Sequence, residues 1–345
     1  MKVMMASYQA ISILQGGPRT QIHSTARYLP ASGVETAFFN PWVPFRRGDA
    51  DLVHLFAANI GTYHLAREIH ALGVPMVVSP IMFSTHSPAF VARALKALRL
   101  IGRAGRGIWS DYGIMADICA WGKLVLPNTE AEAKMVGTGL AVPHEKITVI
   151  PNGVDEIFLL SDPEPFVARY GLRDFILNVG HIGHRRKNVL SLIKALAGID
   201  HPAVVIGRFI SGAYGDACRR EAAPHKHILL IDGLDHDAPM LAAAYAACDT
   251  FVLPSQFETP GIAALEAGLA GAKVVITPYG GTMEYFGEMA DYVNPGSVES
   301  IRAGILAALE RPKTPALSDH IRKNFLWPRV SEKTAVAYAR ALGKG

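Results

Sequence analysis

The feature that most constrains this chain is a repeated alternation of short apolar runs with segments of helical spacing. Val3–Met5, Asp51–Phe56, Pro75–Ser79, Leu124–Pro127 and Ile147–Pro151 read as strands of the first half, with helices over Thr20–Leu29 and Tyr63–Leu72. The second half repeats the grammar. Asp174–Val179, Ala203–Gly207, Ile228–Ile231, Thr250–Pro254 and Lys273–Ile276 read as strands. Val189–Ala197, Ala238–Ala247 (Asp237 as N-cap), a segment ending near Ala270, and Val298–Leu309 read as helices. Strands alternating with helices imply parallel sheets covered on both faces. A chain of 345 residues has room for two such units. The expected architecture is therefore α/β, two Rossmann-like doubly wound domains facing a cleft and joined near Pro151-Asn152-Gly153. Ligands of such folds bind outside the carboxyl ends of the strands, which makes the cleft the expected site.

The expected boundaries are 1–150 for the first domain and 151–328 for the second. The tail Leu317–Leu342 reads as helical with a break at Trp327-Pro328, because proline lacks the N–H and clashes with the preceding turn. About 329–345 are expected to cross back to the first domain.

Half of the residues are hydrophobic and 19% are charged, which excludes a disordered chain. Residues 1–150 hold 14 Lys/Arg against 9 Asp/Glu; the remainder hold 20 against 21. The basic bias belongs to the first half, and it is too small and too local to point to nucleic acid. Cys119, Cys218 and Cys248 have neither metal-ligand nor C-x-x-C spacing and read as buried, reduced thiols of a cytoplasmic protein. The apolar run at Met1–Ser7 is too short for a signal peptide. The uncharged stretch Ala71–Ala92 is broken by Gly73, Pro75, Pro80 and Pro88 and reads as strand, loop and helix, not as a membrane span.

The sharpest local pattern is Pro254-Ser255-Gln256-Phe257-Glu258-Thr259-Pro260-Gly261-Ile262-Ala263-Ala264-Leu265-Glu266. Thr259 suits an N-cap and Pro260 the first helical position. The N–H groups of Gly261 and Ile262 would then form an anion site at a strand's carboxyl end, favoured by the helix dipole. Glu266 would lie roughly 9 Å along the axis from Pro260, within reach of the ribose of a nucleotide whose diphosphate sits on the helix start. Glu258 would face the other side of the phosphates. A solvated Glu266 is the competing reading, but its neighbours Ala263, Ala264, Leu265, Ala267 and Leu269 leave no polar face around it.

Two glutamates separated by seven residues, after a strand ending Pro-Ser, resemble the signature of the family 4 retaining glycosyltransferases of GT-B fold, also called glycosyltransferase group 1. Val149–Asp155 resembles the family's hinge. Asn178-Val179-Gly180 followed by Lys187-Asn188 resembles its donor-phosphate loop, and Gly280-Gly281-Thr282-Met283-Glu284 its later glycine loop. The likeness is specific over 147–345 and looser over 1–146, where it rests on Gly16-Gly17 and Asp51-Leu52-Val53-His54. It implies that Glu266 holds the ribose, Glu258 contacts the sugar, and Thr259, Pro260, Gly261 and Ile262 cradle the diphosphate. It implies that Lys187 neutralises the leaving diphosphate and that Gly16 and Gly17 approach it from the first domain. His181 stands where the family usually has Arg. Either it touches the diphosphate, or Arg186 and Lys187, next to Arg185, do that work alone. His86 sits where the family often carries an active-site histidine, or is a loop histidine before a helix. His54, ending a buried run, reads as a satisfied core residue.

No acid lies between Glu68 and Asp111. Over residues 88–106, Phe90, Val91, Ala94, Ala97, Leu98 and Ile101 share one helix face, and Lys96, Arg99, Arg103 and Arg106 another. A basic amphipathic helix is a candidate contact for an anionic membrane, on its inner face; a core-packing helix with a solvated cationic face is the alternative. Asp49-Ala50-Asp51 and Asp235-His236-Asp237 have a chelating spacing but precede a strand and a helix, as turn and cap residues do.

The resemblance implies transfer of a sugar from a nucleotide-diphosphate sugar to a hydroxyl of a glycan, a lipid-linked or a small-molecule acceptor, in cell-surface polysaccharide or glycolipid synthesis. Lys and Arg would serve as the cations, with no cofactor and no metal. A catalytically degenerate GT-B subunit that binds a glycan or protein partner is the alternative. Neither oligomeric state, base nor sugar is legible.

Overall fold

The computed structural model describes residues 1–13, 16–104, 110–234 and 238–344, with the backbone alone over 100–104. The chain divides into two compact units, Met1–Gly153 with the segment from Trp327 onward, and Val154–Leu326.

The first unit contains β1 (Lys2–Ala6), α1 (Gly17–Tyr28), β2 (Glu35–Phe38), β3 (Leu52–Phe56), α2 (Ile60–Ala71), β4 (Met76–Ser79), α3 (Pro88–Ala104), α4 (Asp111–Trp121), β5 (Leu124–Val125) and α5 (Glu130–Lys134). Its sheet runs β2-β1-β3-β4-β5, and every pairing is parallel. All five residues of β3 are buried, as expected of a central parallel strand covered on both faces. Ile147–Pro151, read as a strand, makes only an isolated bridge from Ile147 to Val125. The edge strand β2 carries no apolar run, because its side chains are half or fully exposed.

The second unit contains α6 (Glu164–Tyr170), β6 (Phe175–Val179), α7 (Val189–Leu196), β7 (Ala203–Ile206), α8 (Ala213–Ala222), β8 (Ile228–Ile231), α9 (Pro239–Ala247), β9 (Cys248–Leu253), α10 (Ile262–Leu269), β10 (Lys273–Ile276), α11 (Thr282–Phe286), β11 (Asp291–Tyr292), α12 (Val298–Glu310) and α13 (Ala316–Phe325). Its parallel sheet runs β11-β10-β9-β6-β7-β8. The order reverses between β6 and β9, the switch point where open α/β sheets hold their ligands.

Leu326 breaks the tail with an extended ψ of 140°, and α14 (Trp327–Ala341) returns to the first unit. Trp327, Val330, Ala337 and Tyr338 join its core with Leu52, Phe56 and Val77. Gly153 has no side chain for a steric reason: a Cβ there would lie 2.4 Å from the Trp327 ring.

Helix α3 presents a different inner stripe from the one its pattern suggested. Val91 and Leu95 are buried, whereas Phe90 is 47% exposed and Ala97 is exposed. The helix packs on the turn 135–139, and the i, i+4 pair Val91/Leu95 is what that turn covers. Lys96 and Arg99 are exposed; the side chains of Ile101 and Arg103, and Arg106, lie outside the described residues, as do Asp235, His236 and Asp237. Ala238 is the N-cap of α9. The three cysteines are buried. No helix among the described residues is long and apolar enough to cross a membrane.

Candidate functional site

The two strands flanking the switch point each send a charged side chain to the same place. After β6 the chain passes Gly180 and His181 and makes a tight turn at Arg185–Lys187. Asn188 closes that turn in the left-handed region (φ 57°). Its side-chain amide donates to the carbonyls of Pro254, at 3.0 Å, and Pro295, at 2.7 Å, which ties the turn to the end of β9. After β9, Gln256 N–H donates to the Arg186 carbonyl (2.8 Å).

Glu258 is held by its own backbone. Its N–H donates to the Tyr279 carbonyl and its carbonyl accepts from Gly281 N–H, a parallel bridge to Gly280. Gly280 sits at φ +100°, and a Cβ there would meet the Glu258 carbonyl oxygen at 2.0 Å. Gly280→Ala is therefore expected to displace Glu258. The backbone strain costs about 1–3 kcal/mol, and turnover should fall at least about tenfold, which paired denaturant melts and assays would read. Unchanged turnover would show that Glu258 does not depend on this bridge.

The fixed carboxylate receives two cations. Lys187 Nζ lies 2.6 Å and Arg186 Nη1 3.3 Å from the same Glu258 oxygen. Arg186 also donates to the Phe257 carbonyl (3.1 Å) and lies over the Phe257 ring. Arg185 turns away and stacks on Tyr214. Burial pushes the Glu258 carboxyl up, but Lys187 and Arg186 together outweigh it and hold it below the usual carboxylate range. Arg186, Lys187 and Glu258, separated by up to 72 positions, thus form one charged cluster at the switch point.

The helix start differs from the sequence expectation. Thr259 is not the N-cap, nor is Pro260 the first helical residue. Helix α10 begins at Ile262, with Gly261 as N-cap at φ 87°. The backbone of Glu258 is committed to the Gly280 bridge, and the chain bends through Thr259 and Pro260 before the helix starts past Gly261. Thr259 and Ile262 are half-buried, and Pro260 and Gly261 are buried.

Glu266 is a buried side chain of α10, 3% exposed. The Tyr245 hydroxyl of α9 donates to its Oε2 at 2.7 Å. Sequence reasoning missed Tyr245. The available signal was a lone phenol inside Leu241-Ala242-Ala243-Ala244-Tyr245-Ala246-Ala247, since a buried hydroxyl needs a partner. Burial first, then the Glu266 charge, pushes this phenol well above its ordinary value, so it remains a donor.

His181 is half-buried. Burial, then Lys187, His184, Arg208 and Arg186, push its pKa below the ordinary histidine value. The ring is therefore neutral near pH 7 unless an anion offsets those four groups.

The remaining candidates belong to the first unit. Gly16 (φ 143°) is the N-cap of α1, which starts at Gly17. His86 is an exposed loop residue before α3, its Nδ1 3.0 Å from the Tyr112 hydroxyl and its ring stacked on Phe90. Asp49 accepts from Arg46 N–H within its own turn, as expected, whereas Asp51 accepts from Lys2 N–H at the start of β1, 49 positions away. Among the described residues no group of three or more His, Cys, Asp or Glu is placed to hold a metal.

Residues 167–324, which include the whole charged cluster and Glu266, match the family model for glycosyl transferases group 1. The chain carries a group 1 glycosyltransferase domain. Among curated proteins, the glycogen synthase of Mycobacterium tuberculosis is 30% identical over 223 residues, 60% of this chain and 51% of that protein. An MMP alpha-(1->4)-mannosyltransferase of Mycolicibacterium hassiacum is 26% identical over 317 residues, 87% of this chain and 72% of its own. The chain spans about half the length of the glycogen synthase it matches. Among solved structures, sucrose-phosphate synthase from Thermosynechococcus elongatus superposes with a TM-score of 0.75 at 15% identity, covering 100% of this chain and 99% of that one. Anabaena HepE, solved with UDP and glucose, gives 0.72 at 16%, covering 98% and 99%. These likenesses establish the GT-B fold for the chain.

Proposed function

We propose that this chain transfers a sugar, with retention of anomeric configuration, from a nucleotide-diphosphate sugar to a hydroxyl, in the assembly of cell-surface polysaccharide or glycolipid. The observation that carries the reading is the cluster of Lys187, Arg186 and Glu258 at the β6/β9 switch point, followed directly by the helix that carries buried Glu266. As the glycosidic bond breaks, the leaving diphosphate gains negative charge. Lys187, Arg186 and the start of α10 would stabilise it, which needs no metal. The incoming diphosphate would replace Glu258 as counter-ion of the two cations and free its carboxylate for the sugar. Glu266 would take the ribose, and His181 would flank the diphosphate. The exposed Lys96 and Arg99, with the acid-free run around them, support contact with an anionic membrane.

Nucleoside diphosphate release from a panel of nucleotide sugars, without acceptor and with EDTA present, tests the reading. One donor is expected to be hydrolysed and to raise the melting temperature. Thermal stabilisation by a donor without release would assign the chain to the binding subunits instead. Release abolished by EDTA would sink the metal-free mechanism, and an inverted anomer in the product would overturn retention.

A further inference from the structure

Helix α9 is built almost entirely from small or aliphatic residues, and Tyr245 is its one side chain with a hydroxyl. That side chain is fully buried. Two aromatic rings grip it: Phe158 edge-on, with centroids 5.5 Å apart at 85°, and Phe251 of β9 at 5.8 Å. A phenol wedged in this way has little rotational freedom, so the position of its oxygen is set by the core, not by solvent. That oxygen donates to Glu266 Oε2 at 2.7 Å. The neighbours of Glu266 in α10, Ala264, Leu265, Ala267 and Leu269, are buried hydrophobics. Burying a carboxylate and a phenol together costs desolvation that an apolar pair would avoid. Polar groups are held to sub-ångström geometry by partners whose own rotamers are locked by packing.

We propose that Tyr245 is a positioning residue for nucleotide recognition: its core-locked hydroxyl presets the Glu266 carboxylate in the geometry that takes a ribose diol. The proposal rests on the reading that Glu266 binds ribose. Its consequence is specific. Loss of the hydroxyl loosens the carboxylate, and only ligands with ribose hydroxyls are affected. A purely structural role for the phenol would change the affinity of all nucleotides alike.

The test compares UDP, GDP and ADP with their 2′,3′-dideoxy counterparts by calorimetric titration of the parent, Tyr245→Phe and Glu266→Ala proteins. The base that binds the parent is carried forward. Phenylalanine keeps the ring between Phe158 and Phe251, and thermal melts confirm that the fold is retained. Tyr245→Phe is expected to weaken the ribonucleotide about tenfold, equivalent to ~1.4 kcal/mol, while the dideoxy Kd stays within about twofold. Donor KM should rise with kcat unchanged. Equal weakening of both ligands, or of neither, while Glu266→Ala abolishes the ribose preference, overturns the proposal and leaves the ribose assignment standing. A ribose preference retained by Glu266→Ala removes that assignment and the proposal with it. Absence of nucleotide binding by the parent removes both as well.

Discussion

Replacing Lys187 with alanine is expected to lower turnover by about 10²–10³, the usual loss when one preorganised group facing a developing anion is removed. Lys187 Nζ is 2.6 Å from Glu258, and the two side chains are 18% and 7% exposed. The substitution therefore also strips a buried carboxylate of its nearest cation. Breaking a buried ion pair costs about 3–5 kcal/mol when the remaining charge has no other partner. Arg186 stays 3.3 Å away, so the loss should fall at or below the low end of that range. That loss should shrink in acid, where protonation of Glu258 removes the charge that Lys187 offsets. The Glu258 carboxyl is held below its ordinary value, so its contribution is present above the usual carboxylate range and is lost as pH falls through the lowered value. Lys187→Met combined with Glu258→Gln removes both charges together and should regain stability without regaining turnover. Urea melts and initial rates on the same preparations separate the two effects. Turnover within about tenfold of the parent for Lys187→Ala would remove Lys187 from the catalytic assignment.

How much of this was legible before the structure depended on whether a residue's role is local. The central strands β3, β7 and β10 are short apolar runs, and burial on both faces imprints that pattern directly. Strand β2 and helix α8 carry no such imprint: β2 is a half-exposed edge, and α8 buries only Gly215, Cys218 and Ala222. Thr259-Pro260 has the composition of a helix cap, yet the cap is Gly261. The deciding interaction is the bridge from Glu258 to Gly280, more than twenty positions away. The motif residues Lys187, Glu258 and Glu266 stood out singly. Their pairings did not, because the Lys187–Glu258 and Tyr245–Glu266 contacts join segments that only the sheet order brings together. The stripe on α3 was rotated by about one position, since Val91 and Leu95 face a turn whose location no helical periodicity reports.

The first unit is expected to lose stability in acid through a single side chain, His54. It lies in the middle of β3, 2% exposed, with Nδ1 2.6 Å from the Tyr338 hydroxyl of α14 and Nε2 2.9 Å from Ser79 Oγ of β4. The neutral ring is satisfied at both nitrogens, because each hydroxyl can donate or accept to suit the tautomer. Burial pushes its pKa from the ordinary 6.5 down to about 3. The unfolded chain takes up a proton near 6.5, whereas the folded protein resists it until about pH 3. The stabilisation is therefore fully present above 6.5 and is lost progressively on the way down, at up to ~1.4 kcal/mol per pH unit. Over the whole window the loss amounts to about 4–5 kcal/mol, a large part of the stability of an ordinary domain. Because one partner is Tyr338, the tail helix should loosen with the sheet, and proteolysis from the carboxyl terminus should accelerate in the same pH range. His54→Gln offers hydrogen-bonding groups to both hydroxyls and does not titrate. It should sacrifice some stability at neutral pH and flatten the profile between pH 6.5 and 4. Parent and variant unfolding curves that change in parallel across that range would show that the acid sensitivity lies elsewhere.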